Sequence, residues 1–124
     1  MATDWFSRLT ICLAGILGAG GVAAAAGASH AADARGLGAL ALIALSHAPA
    51  LLAFGLSSAE GRLLRSGAVI IAAGACLFSA DLAARHFLGG GGLFPMSAPF
   101  GGTAIIAGWL VVAVGGLAPG RWPK

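Results

Sequence analysis

The chain has 124 residues, of which 59% are hydrophobic and 9% charged, with a net charge of +3 at pH 7 and a mean hydropathy of +0.95. Soluble domains carry about 25% charged residues, so this composition cannot cover a water-facing surface and points to a single all-α domain, residues 1–124, embedded in lipid. The mild basicity has no aromatic-interleaved basic patch beside it, which argues against nucleic-acid binding and leaves the Lys and Arg residues as topology signals.

A spanning helix needs about 20 mostly apolar residues, and the charges mark off four such runs. The first, Leu9 to Ser29, follows Arg8 and is preceded by Trp5 and Phe6 as interfacial anchors. It is rich in Gly and Ala. A secretory leader is the rival reading, with Ala26-Gly27-Ala28 as the cleavage site, but the leading segment carries both Asp4 and Arg8 and lacks a clear positive charge. After a short link with Asp33 and Arg35, the second run extends from Gly36 to Ala59 and contains His47 and Pro49. A proline inside a spanning helix frees a carbonyl that must find another partner.

A second link, Glu60 to Arg65, precedes the third run. From Ser66 this run is uncharged only to Ala80, and it reaches spanning length by continuing through Asp81 and Arg85 to Leu88. Asp81 and Arg85 are four residues apart and share a helix face. The four glycines from Gly89 to Gly92 then break the helix. Leu93 to Ala98 reads as an interfacial loop, with Ser97 as a helix cap and Pro99 in the first turn of the fourth run, Phe100 to Ala118. Pro119-Gly120 ends that run, and Arg121, Trp122 and Lys124 anchor it at the interface. The predicted helices are therefore near 7–29, 36–59, 65–88 and 99–118. Gly67 and Gly74, and Gly101, Gly108 and Gly115, recur every seven residues. That spacing keeps each set on nearly one face and predicts a tight packing seam on helices three and four.

With four spans, the N-terminus, second link and C-terminus share a side. They hold Arg8, Arg62, Arg65, Arg121 and Lys124, whereas the first and third links hold Arg35 and Arg85. The positive-inside rule then predicts cytoplasmic termini, with the first and third links facing outward, to the periplasm if the cell is a Gram-negative bacterium.

The segments Leu77-Phe78-Ser79, Pro99-Phe100-Gly101-Gly102 and Gly108-Trp109 resemble the bacterial domain of unknown function 423 family, small four-helix membrane proteins whose eukaryotic relatives are the transmembrane protein 256 group. Gly27-Ala28-Ser29-His30 is similar to that family's early Gly-Ala-His segment. Leu45-Ser46-His47-Ala48-Pro49-Ala50-Leu51-Leu52 is similar to its His-Ala segment, without the family's glutamine. Ala80-Asp81 stands where the family pattern has Gly-Ser. The resemblance runs over roughly residues 9–118 and implies a membrane fold with no accepted activity and no cofactor.

The polar residues inside the spans are few. His47 falls about 16 Å into its helix and Asp81 about 10 Å, with Trp109 near the level of His47. His30 and His86 fall near the outer interface. His47, Asp81 and Trp109 are the candidates for one outward-facing polar pocket, able to carry protons or hold a ligand. The competing structural reading, which we favour, pairs Asp81 with Arg85 and bonds His47 to a carbonyl freed by Pro49. No two histidines lie three or four residues apart, so spacing suggests no metal site. Ser79 and Asp81 fall on different helix faces, which argues against hydrolase chemistry. Cys12 and Cys76 both lie in apolar runs, with no CxxC, and read as small apolar side chains. The expectation is a non-enzymatic membrane component without cofactor, packing with lipid, with itself or with a larger membrane complex. The alternatives are a small transporter or channel component using His47 and Asp81, and an accessory subunit shielding a cofactor held by its partner.

Overall fold

The computed structural model describes residues 4–57 and 61–117. It is all-helical: α1 spans Trp5–Ala28, α2 Arg35–Leu56, α3 Arg62–Leu88 and α4 Ser97–Leu117. Each is long and apolar enough to cross a membrane. The expected positions for Glu60, Ala118, Pro119-Gly120 and the anchors Arg121, Trp122 and Lys124 lie outside the described residues.

The helix ends differ from the charge-bounded expectation in instructive ways. α1 starts at Trp5 rather than near residue 7, because the Asp4 side chain accepts from the Ser7 backbone N–H at 3.1 Å and caps the helix. Phe6 is consequently not an interfacial anchor. It is buried, and the Arg65 guanidinium lies 4.3 Å over its ring. α2 stops at Leu56 rather than 59, where Ser57 turns extended while its N–H still reaches the Ala53 carbonyl at 2.9 Å. α3 begins at Arg62 rather than 65. Both arginines fit its first turn because long basic side chains carry their charge outward from the helix.

α4 begins at Ser97 rather than 99. The Phe100 N–H bonds the Met96 carbonyl at 3.0 Å, so Pro99 still lies in the first turn, where its missing N–H is not needed. Ser97 is inside the helix and is not the cap. Between α3 and α4, Gly89, Gly90 and Gly92 adopt φ of +75°, +74° and +84°, a region L side chains rarely enter. At Gly92 a side chain would also collide with Asp81 and Arg85.

α1 packs along α2, α2 along α3 and α3 along α4, while α1 barely meets α3. The core runs through Ala14, Leu17, Leu40, Ala44, Leu51, Ile71, Ala75 and Ile105. The α3–α4 contact is built from glycines. A Cβ on Gly74 would come within 2.8 Å of the Gly101 carbonyl oxygen, and one on Gly101 within 2.8 Å of the Phe78 nitrogen. A Cβ on Gly67 would meet Val112 at 2.5 Å, one on Gly108 would meet Ile71 at 2.6 Å, and one on Gly115 would meet Leu63 at 3.1 Å. Such close backbone approach is how helices associate where lipid supplies no hydrophobic drive. Large apolar side chains such as Ile16, Leu42, Val69, Ile106, Leu110 and Val114 point outward.

Candidate functional site

The polar side chains within the helices form two separate clusters. In the first, the Trp109 indole N–H of α4 donates to His47 Nε2 of α2 at 3.0 Å, with the rings tilted and their centroids 5.9 Å apart. An indole N–H can only donate, so Nε2 must accept and the proton belongs on Nδ1. From there it is donated to the Ile43 carbonyl at 2.8 Å. The Ser46 hydroxyl lies 3.2 Å from the same nitrogen and also donates to the Leu42 carbonyl at 2.6 Å. His47 is buried and both its ring nitrogens are engaged.

This geometry corrects one detail of the sequence reading. His47 does not bond a carbonyl freed by Pro49, which would be that of Leu45, four residues before the proline. It bonds Ile43, one turn back on its own helix. The bond across the fold comes instead from Trp109, so that His47 links α2 and α4, helices whose backbones do not otherwise approach.

In the second cluster, Asp81 has 0% exposure and three donors. Arg85 Nε donates to Oδ2 at 2.7 Å, the Leu93 backbone N–H donates to Oδ1 at 2.9 Å, and the Ser97 hydroxyl donates to Oδ1. The carboxylate therefore ties the end of α3, the glycine-rich loop and the first residue of α4 together. The Arg85 partner was legible from the four-residue spacing. Leu93 and Ser97 were missed, because a backbone donor 12 residues away and a hydroxyl 16 away become neighbours only once the glycines reverse the chain. The short polar Ser97 beside Pro99 was the available signal, read as a cap for its own helix.

His47 and Trp109 are thus brought together, and Asp81 is not with them. Trp109 is 12 residues along α4 from the Ser97 end, about 18 Å at 1.5 Å per residue. The three residues do not form one pocket. The five seam glycines lie in the α3–α4 contact. His30 and His86 are exposed beyond these clusters. Cys12 and Cys76 are free thiols. Among the described residues no three His, Cys, Asp or Glu side chains gather in a way that could hold a metal ion.

Two further ion pairs lie at helix ends among the described residues. Arg65 reaches Asp4 at 2.9 Å, joining the N-terminus to the second link at one end of the molecule. The Ser7 hydrogen bond, with help from Arg65, holds the Asp4 carboxyl below the usual range. At the opposite end Arg35 pairs with Asp33 at 3.3 Å and lowers its carboxyl likewise, first through its side chain and then through its backbone N–H. No protein family, curated protein or solved structure matches the chain.

Proposed function

We propose that this chain is a non-enzymatic multi-pass protein of a bacterial inner membrane, a helix-packing or accessory component with both termini in the cytoplasm. The observation that carries this reading is that the two buried ionisable side chains within the helices, Asp81 and His47, are already occupied. Asp81 holds three donors, and both nitrogens of His47 are hydrogen-bonded. A proton carrier at His47 needs an acceptor or water facing Nε2 when the ring gains a second proton, and the Trp109 N–H opposes it. A transport path through His47 and Asp81 would also have to bridge the roughly 18 Å between the two clusters.

Four spans of sufficient length, the Lys and Arg asymmetry and the Asp4–Arg65 pair support the membrane placement and the shared side of the N-terminus and second link. Kinship with the domain of unknown function 423 family is proposed on the motifs alone. The outward apolar side chains suit lipid, further copies of the chain or a larger membrane complex as neighbours, and the proposed role needs no cofactor.

The test is proton flux. Liposomes containing the purified protein should leak protons no faster than empty liposomes at any pH. A pH-dependent leak abolished by Asp81→Asn or by His47→Phe would replace this reading with the transporter.

A further inference from the structure

A slot of about 680 Å³ runs between α1 and α3, where α2 holds them apart. Leu40 and Ala44 of α2 form its floor, and its walls include Gly20 and Ala24 of α1 and Ala83 of α3. It extends along α1 from Ile16 to His30, about 20 Å at 1.5 Å per residue. Its length and almost wholly apolar lining suit an extended hydrocarbon chain.

Its polar groups are specific. Ser79 lines the slot and is 9% exposed. Its Oγ is the one buried side-chain nitrogen or oxygen among the described residues that lacks a hydrogen-bond partner. Serines inside helices commonly satisfy themselves on a carbonyl one turn back, as Ser46 does here on Leu42. Ser79 does not, and a buried hydroxyl left unpaired is costly. His30 and His86 line the same slot at its outer end. Along α3, His86 stands seven residues from Ser79, about 10 Å. The Asp33 carboxylate, whose charge also acts on His86, is offset by its pairing with Arg35.

We propose that this slot binds one acyl chain of a glycerophospholipid, with the phosphate at His30 and His86 and an ester oxygen accepting from Ser79. The second acyl chain stays in the bilayer. The inference uses the membrane reading of the fold and is independent of orientation and of the proposed packing role.

Native mass spectrometry after purification in mild detergent, with phosphatidylglycerol titrated back, tests it. The wild-type chain should retain one phospholipid. Gly20→Phe should lose it while keeping its melting temperature, because a Cβ at Gly20 meets nothing within 4 Å and the ring enters the slot. Ser79→Ala should weaken retention roughly 2- to 10-fold, the range of one net hydrogen bond. The pair His30→Gln and His86→Ala should reduce affinity for phosphatidylglycerol more than for diacylglycerol. Undiminished binding in a folded Gly20→Phe overturns the site. If that variant does not fold, unchanged affinity in Ser79→Ala does so. A retained molecule without phosphate, or a second copy of the chain in place of a lipid, overturns the proposal as well. Proton flux is unaffected by these outcomes, so failure here is distinguishable from failure of the proposed function.

Discussion

A carboxylate shut off from solvent must find hydrogen-bond donors inside the protein or lose its charge. Asp81 finds three, from three different parts of the chain, and its four-residue pairing with Arg85 is only one of them. Arg85→Ala should therefore destabilise the protein by about 1.5–3 kcal/mol, the scale of a hydrogen bond to a charged group. Stripping a buried ion of its only partner costs about 3–5 kcal/mol, but here Leu93 and Ser97 still hold the carboxylate. The double change Asp81→Asn with Arg85→Ala should be at least as stable as Arg85→Ala alone, because no charge is then left buried. Asp81→Ala should be the worst of the three, since it leaves the loop and the start of α4 without their common acceptor. Thermal unfolding in detergent gives the order, and wild-type stability in Arg85→Ala would rule out this account. At the other cluster, Trp109→Phe keeps the ring but leaves His47 Nε2 a buried acceptor without a donor, and should cost about 1–3 kcal/mol in the same measurement.

At the scale of the helix, small residues decide how closely elements approach. A Cβ at Gly108 would lie 3.0 Å from the Ile71 nitrogen and 3.1 Å from the Gly67 carbonyl oxygen, and backbone atoms cannot swing aside as a side-chain tip can. Gly108→Leu should cost at least about 1–3 kcal/mol by overpacking. Gly15→Ala is the matched control, because nothing lies within 4 Å of a Cβ there. A helix-interior alanine should stabilise by about 0.5–1 kcal/mol over glycine. Equal melting temperatures for Gly108→Leu and wild type would mean the seam is not a tight contact. The cap of α1 makes a pH prediction. Asp4 has its folded carboxyl held below its ordinary value by the Ser7 hydrogen bonds and Arg65, so its contribution is present above the unfolded value and lost as pH falls through the lower folded value. Stability should therefore decline below about pH 4 with a component that Asp4→Asn removes, read from unfolding midpoints between neutral and strongly acid pH.

At the scale of the whole molecule, two hairpins, α1–α2 and α3–α4, meet along α2 and α3. Closure on the remaining sides depends on side chains: the His47–Trp109 bond links α2 to α4, and the slot separates α1 from α3. With an even number of spans the two chain ends share a side. A reporter fused after Lys124 should behave as cytoplasmic, and a periplasmic signal would reverse the proposed orientation.

The number and nature of the helices follow from the sequence itself, because length, apolar composition and the scarcity of charge are local properties that lipid reads segment by segment. The heptad spacing of Gly67 and Gly74, and of Gly101, Gly108 and Gly115, is also local, since helical geometry fixes which residues share a face. Helix ends were less legible, because Asp4 caps α1 earlier than the charges suggest, Arg62 and Arg65 fit inside α3, and α4 starts two residues early at Ser97. What a polar residue bonds to beyond its own helix was decided by the tertiary structure alone. Depth counting put His47, Asp81 and Trp109 within reach of one another. The packing of α3 against α4 instead carried Ser97 and Leu93 to Asp81, and gave His47 the indole of Trp109. A hydrogen bond is made over about 3 Å, whereas a position along a helix specifies only a height and a face. Which neighbour occupies that last 3 Å depends on how the helices are laid side by side.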